Sequence, residues 1–293
     1  MNDSDKTTQH SDSAILGFWK RIPVVIRAVV AGLFVAEIGI IAWLASMALL
    51  PALWPIVVMS GVLWFYLRYF SGSWWPKTTA ESRRDRFRAL TLPRAVQTWS
   101  LAAAMLFVIV SQSSFVLTFR IIEFPAELLT QGLGFDDIPL WAAWMFIVMS
   151  ALVAGICEET GFRGYMQVPL EKRYGSGVAI SITSLMFLLL HLNQAWAPPL
   201  LLPLFALGAL FGILAYAADS LIPSIIAHAV TDVFNFAYWW TDVAGTFDRR
   251  PIADTGIDAH FVLWLLVFVV SITLFTWTAR KTHLARKSAA NPQ

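Results

Sequence analysis

The sequence predicts an all-α polytopic membrane protein of about eight transmembrane helices, and three observations carry that expectation. The first is composition: 58% of the 293 residues are hydrophobic and 14% are charged, where a soluble domain carries about 25% charge. With a mean hydropathy of +0.65, a chain of this size cannot cover itself with polar surface in water. Its 14 Trp and 21 Phe suit lipid-facing surfaces and interfacial belts. The second is the set of apolar runs, each near the ~20 residues that span a bilayer core: 28–49, 52–70, 96–118, 138–157, 177–197, 199–218, 221–240 and 260–279. The third is charge placement. With both termini cytoplasmic, all 21 Lys and Arg except Arg120, Arg249 and Arg250 fall at the inner side, as the positive-inside rule demands.

The elements divide into four stretches. Residues 1–27 form a polar cytoplasmic tail without a signal-peptide pattern, so the first apolar run reads as a retained anchor. Residues 28–137 hold three spans and a basic loop at 71–94, a topology determinant rather than a nucleic-acid patch. Residues 138–240 hold four spans and the candidate chemistry. Residues 241–293 supply the last loop, the last span and a basic tail. Pro51, the Pro198-Pro199 pair and Pro223 punctuate the connections. The one cysteine, Cys157, excludes an intramolecular disulfide. A net charge of +2 gives no reason to expect a nucleic-acid partner. The expected partners are the lipid bilayer and a peptide or protein substrate.

An ionisable group at bilayer depth costs on the order of 2.5–3.5 kcal/mol. Residues 155–235 nevertheless contain Glu158, Glu159, Arg163, His191, His228 and Asp232 among apolar sequence. On a helix Glu159 and Arg163 share a face in the favourable order for an ion pair, and Glu158 points about 100° away. One carboxylate is then neutralised and its neighbour is left for chemistry. The bland alternative is a pair of solvated glutamates just past the membrane. His191 falls inside an apolar run, where a lone imidazole is commonly a structural hydrogen-bonding group. His228, Asp232 and Asn235 form a polar stripe, which on its own reads equally as interhelical glue. A turn near 174–175 makes Glu158 and His191 symmetric about it, so an antiparallel hairpin places them at one depth. This requires the fourth helix to run through Glu158 towards Pro169 instead of ending at Cys157.

Peptide-bond hydrolysis needs a base for water, donors for the oxyanion and an acid for the leaving amine. Glu158 suits proton shuttling, His191 suits holding water, and His228 suits oxyanion stabilisation with Asp232 orienting it. Glu158, His191 and His228 could instead bind Zn2+ with water in the open position. The residues leave both readings open.

Three motifs, Glu158-Glu159-x-x-x-Arg163, Phe187-x-x-x-His191 and His228-x-x-x-Asp232, occur in order on successive spans. Together they resemble the CPBP family, which includes the type II CAAX prenyl endopeptidases and bacterial Abi proteins. The resemblance covers about 138–240. It implies an intramembrane protease with a conical active-site cavity in the helix bundle, and a multi-pass protein of the bacterial plasma membrane. It further implies that Glu158 and His191 activate water while His228 and residue 232 stabilise the oxyanion. Both metalloprotease and metal-independent glutamate mechanisms are implied, so the cofactor is Zn2+ or none. Position 232 is Asp where the prenyl endopeptidases have Asn, and an ionised Asp donates no hydrogen bond. This departure weighs against the prenyl-protein reaction more than against peptidase activity.

Other protease patterns are missing. There is no His-Glu-x-x-His and no Gly-x-Gly-Asp, and Gly175-Ser176-Gly177 falls in an expected turn. Gly208-x-x-x-Gly212 reads as a packing face. Glu37 has no assigned role. The function expected is an intramembrane endopeptidase. The alternatives are a noncatalytic scaffold or bacteriocin-immunity protein of the same fold, and a proton-coupled transporter, since buried Glu, His and Asp also build proton relays.

Overall fold

The computed structural model describes residues 17, 19, 21–124, 138–192 and 200–290. Most of the polar N-terminal tail, the Pro198-Pro199 pair and the last three residues lie outside the described residues. Nine helices of eight residues or more are described: α1 Val24–Leu49, α2 Trp54–Phe70, α3 Ala80–Phe87 and α4 Arg94–Ile121; α5 Leu140–Tyr174 and α6 Ser176–Leu190; α7 Leu201–Ala218, α8 Ile222–Asn235 and α9 Ala259–Ala290, with shorter helical turns at Lys77–Thr79 and Ile252–Thr255. A π-helical turn, Phe236–Trp240, prolongs α8. No β-strand occurs among the described residues, which hold only an isolated bridge between Arg88 and Ser220. Five helices, α1, α4, α5, α7 and α9, are long and apolar enough to cross a membrane, and α2 and α6 are shorter apolar helices. The chain is an all-α polytopic membrane protein.

Local sequence explains the helix starts. Pro23, Pro93 and Pro139 stand at the N-caps of α1, α4 and α5, where the fixed φ and missing N–H of proline cost nothing. Gly175, at φ +82°, supplies the left-handed residue that reverses the chain between α5 and α6.

Three expected boundaries are corrected. The run 138–157 is part of a 35-residue helix that continues through both glutamates to Tyr174. The run 177–197 stops being helical at Leu190. His191 is therefore a helix C-cap, not a mid-helix residue. The basic loop 71–94 contains a folded helix, α3. Its Arg83 is 5% exposed and donates to the carbonyls of Tyr69, Trp74 and Pro76, while Phe87 joins the core. A residue counted as a solvated charge is instead a clamp on three backbone oxygens.

The basic residues gather at one end of the bundle. Arg88 donates to Glu171 at 2.8 Å and to Asp219 at 3.0 Å, and Arg286 donates to the Tyr216 carbonyl at 2.7 Å. At the opposite end Arg120, fully buried, donates to Asp258 at 2.7 Å and to the Arg250 carbonyl at 2.6 Å. The guanidinium holds the Asp258 carboxyl below the usual carboxylate range, and Asp258 Oδ1 in turn accepts the N–H of Phe261 at the start of α9.

The basic loop also sets the depth of the site. A Cβ on Gly164 would lie 2.9 Å from the Arg86 carbonyl and 3.4 Å from Leu221. Glu158 is six residues from Gly164 and His228 seven from Leu221, so each is about 9–10 Å of helix from this layer at ~1.5 Å per residue. The last ten residues of α5 project beyond the layer. That explains how Glu158, far from the turn at Gly175, meets His228, close to the start of α8.

Close helix approach completes the positioning. A Cβ on Gly155 of α5 would stand 3.0 Å from both Ala229 N and Ile225 O of α8. A Cβ on Gly161 would stand 2.6 Å from Ala36 Cβ of α1, and one on Gly208 of α7 would stand 3.1 Å from Ser184 Cα of α6. The Gly208–Gly212 pair is thus a packing face. Overpacking of this kind costs about 1–3 kcal/mol. Gly155→Val is expected to force α5 and α8 apart. Its unfolding midpoint in detergent should fall by an amount in that range, and a midpoint equal to wild type would contradict the packing described.

Candidate active site

The site is built outward from a buried ion pair. Arg163 and Glu159, both fully buried, pair at 2.9 Å between Nη1 and Oε1. Arg163 lies in a π-helical segment, Thr160–Met166, a geometry frequent at functional sites. Its Nη2 donates to the Gly208 carbonyl at 3.0 Å, an oxygen reachable because glycine allows α7 close. Phe162, Phe187 and Phe211 place their rings 4.9–5.4 Å from the guanidinium carbon, so cation–π attraction replaces part of the lost hydration.

The same Glu159 oxygen reaches the third helix. His228 Nδ1 stands 2.9 Å from Glu159 Oε1. A carboxylate only accepts, so Nδ1 carries the proton and donates. Phe211 stacks on the imidazole, with centroids 4.5 Å apart and planes 22° apart. With both Nδ1 and the ring plane fixed, Nε2 is aimed into the cavity, 3.5 Å from Asp232 Oδ2 and 3.9 Å from Glu158 Oε2. Glu159, rather than Asp232, therefore holds the far side of the ring.

His191 is fixed by similar logic. Its Nδ1 stands 2.8 Å from the Phe187 carbonyl, which can only accept. Nδ1 is the protonated nitrogen, and Nε2 is the acceptor. The ring packs on Phe187 at 4.3 Å between centroids. Ending α6 at Leu190 leaves His191 free to bond back to that carbonyl.

Glu158, His191, His228 and Asp232 line one cavity of about 150 Å³, together with Phe115, Phe211, Thr231 and Asn235. This is room for several water molecules. The side chains of Glu158 and Asp232 are 15% and 18% exposed, against 0% for Glu159. Glu158 Oε2 and Glu159 Oε2 are both buried without a hydrogen-bond partner, but only Glu158 lines the cavity, so its carboxylate is the one left for whatever fills it. Of the six sequence-predicted residues, four face the cavity. Glu159 and Arg163 stand behind it as support.

The metal expectation meets a geometric obstacle. Among the described residues no three His, Cys, Asp or Glu side chains are arranged to hold a metal ion. Both imidazoles commit Nδ1 and leave Nε2 towards the cavity, an arrangement shared by histidines that ligate a metal and by those that hydrogen-bond water.

Several residues at the site escaped sequence reasoning. Gln112 of α4 donates to Asn235 Oδ1 at 3.0 Å, and Trp239 Nε1 donates to Gln112 Oε1 at 3.2 Å. The one available signal was a glutamine inside an apolar run. Glu37 of α1 lies close enough to interact electrostatically with Glu158 and His191, which the sequence did not foretell.

Comparison with known proteins gives one relationship. Residues 139–234 match the family model described as Type II CAAX prenyl endopeptidase Rce1-like. The match includes all six site residues. No curated protein and no solved structure matches the chain.

Removing one partner of a buried ion pair leaves an uncompensated charge and costs about 3–5 kcal/mol. Arg163→Met is expected to destabilise by that amount in denaturant titration. Arg163→Met combined with Glu159→Gln should recover a large part of it. A single variant as stable as wild type would contradict the pairing.

Proposed function

The chain belongs to the CPBP family of membrane proteases, and from that premise we propose that its cavity hydrolyses a peptide bond with water activated by Glu158 and His191. The observation that carries this reading is the contrast between two adjacent carboxylates. Glu159 is fully buried against Arg163 and His228 and stands outside the cavity, whereas Glu158 is partly exposed and lines a water-sized cavity with two oriented imidazoles.

In the proposed reaction a water lodges between Glu158 and His191. His191 Nε2 accepts one of its hydrogens and orients the oxygen lone pair. Glu158 takes the other proton as the oxygen attacks the scissile carbonyl, and the carbonyl electron pair moves onto its oxygen. His228 Nε2, facing the carboxylates of Glu158 and Asp232, carries the second proton of an imidazolium and donates it in a hydrogen bond to that oxyanion. The intermediate then collapses: the C–O double bond re-forms, the C–N bond breaks, and Glu158 delivers its proton to the leaving amine. The substrate is a peptide or protein segment reaching the cavity from the bilayer or the basic face, which positive-inside reasoning places in the cytoplasm. Every step uses side chains alone, the glutamate-protease form of the family's chemistry. A scaffold or a transporter would share the fold without this turnover.

Loss of a general base lowers turnover on the order of 10²–10⁴-fold. Glu158→Gln is expected to abolish cleavage while keeping abundance and unfolding midpoint. Expressed in membranes, it should accumulate an uncut precursor whose cut site is mapped from the new N-terminus released by wild type. Identical N-termini from wild type and the variant would overturn the reading, and ion or solute flux in liposomes abolished by the same substitution would favour transport. Treatment with 1,10-phenanthroline is expected to leave cleavage intact. Loss restored by added Zn2+ would overturn the side-chain-only mechanism.

A further inference from the structure

The wall of the cavity contains an amide whose orientation is dictated from outside the site. An indole N–H can only donate. Trp239, fully buried among aromatic side chains, points its Nε1 at Gln112 Oε1, 3.2 Å away. That fixes which end of the Gln112 amide is oxygen. The opposite end, Nε2, then faces Asn235 Oδ1 at 3.0 Å and the Thr231 carbonyl at 3.5 Å. The carbonyl of Asn235 is thereby used, so its Nδ2 is the end of the amide left for the cavity that Asn235 lines. Gln112 and Asn235 are 6% and 7% exposed, so neither amide is free to flip against water.

Two donors consequently face one cavity. His228 Nε2 is 3.5 Å from Asp232 Oδ2 and 3.9 Å from Glu158 Oε2, two groups that only accept when ionised, so it carries the second proton of the ring. An Asn amide has two N–H groups, and those of Asn235 remain for an occupant of the cavity that it lines. A developing oxyanion here also faces the carboxylates of Glu158 and Asp232, neither of which stabilises negative charge. It needs a neutral donor that cannot lose its proton.

We infer that Asn235 is that donor: its Nδ2 hydrogen-bonds the oxyanion beside His228 Nε2, with Gln112 and Trp239 as positioning residues that hold its amide the right way round. The inference rests on the peptidase reading. Asp232 acts through its neighbour, facing His228 Nε2 at 3.5 Å. No covalent bond to Asn235 forms, and no proton leaves it.

The test uses the full chain in lipid nanodiscs with an internally quenched peptide spanning the cut site mapped by trapping. Removing an oxyanion donor costs on the order of 10²–10³ in turnover. Asn235→Ala and the near-isosteric Asn235→Asp are both expected to lower kcat by that factor with KM unchanged. A phosphinate analogue of the peptide, which carries the tetrahedral oxyanion, should lose affinity in parallel. The uncut peptide, measured in a Glu158→Gln background, should bind both variants as it binds the parent. Asp232→Asn added to Asn235→Ala should restore turnover, because it returns an amide to the same place. Trp239→Phe, which frees Gln112 to rotate, should lower kcat with a smaller effect. Wild-type kcat in Asn235→Asp overturns the inference. So does a loss matched by a fall in unfolding midpoint and not rescued at position 232, the signature of a structural role. Wild-type cleavage that depends on Glu158 but not on Asn235 sinks this inference alone. No cleavage by wild type sinks it together with the reading beneath it.

Discussion

The buried pairing of Glu159 with Arg163 is the constraint on which the rest of the site depends. Two full charges in a membrane helix are tolerable only if each is satisfied where water is absent. Arg163 meets that demand with a carboxylate, a glycine carbonyl on α7 and three phenylalanine rings. Glu159 meets it with Arg163 and with His228 on α8. The pair therefore joins three helices through polar contacts that tolerate little displacement. The His228 imidazole takes its orientation from a residue that does not line the cavity.

Adjacent glutamates on one helix acquire different environments because successive residues point about 100° apart. Glu159 turns to the dry seam between α5, α7 and α8, and Glu158 turns to the cavity. Glycines make the seam tight enough for this. Gly155 brings α8 against α5 one turn before the carboxylates, and Gly208 lets Arg163 reach the backbone of α7. Neither glycine touches the cavity, yet both determine whether His228 Nε2 lies near Glu158.

Much of this was legible in the sequence where the relevant spacing is local. Glu159 and Arg163 at four residues announce a shared helix face, and the apolar runs announce the five helices long enough to cross a membrane and two shorter apolar ones. Symmetry about Gly175 announces that Glu158 and His191 line one cavity. The features missed depend on contacts between helices, which no spacing encodes. Nothing near His191 marks it as a helix end, because that end depends on a bond back to the Phe187 carbonyl. Arg83 reads as one more cytoplasmic cation until α3 folds it against three carbonyls. Gln112 and Trp239 are 127 residues apart and acquire meaning only when α4 lies against α8.

The central claim is a division of labour between neighbouring carboxylates, and it is tested most directly by measuring turnover and unfolding midpoint side by side for Glu158→Gln and Glu159→Gln in nanodiscs. The account predicts that Glu158→Gln loses turnover at an unchanged midpoint, whereas Glu159→Gln loses midpoint because Arg163 is left unpaired. A stable, inactive Glu159→Gln beside an active Glu158→Gln would contradict it.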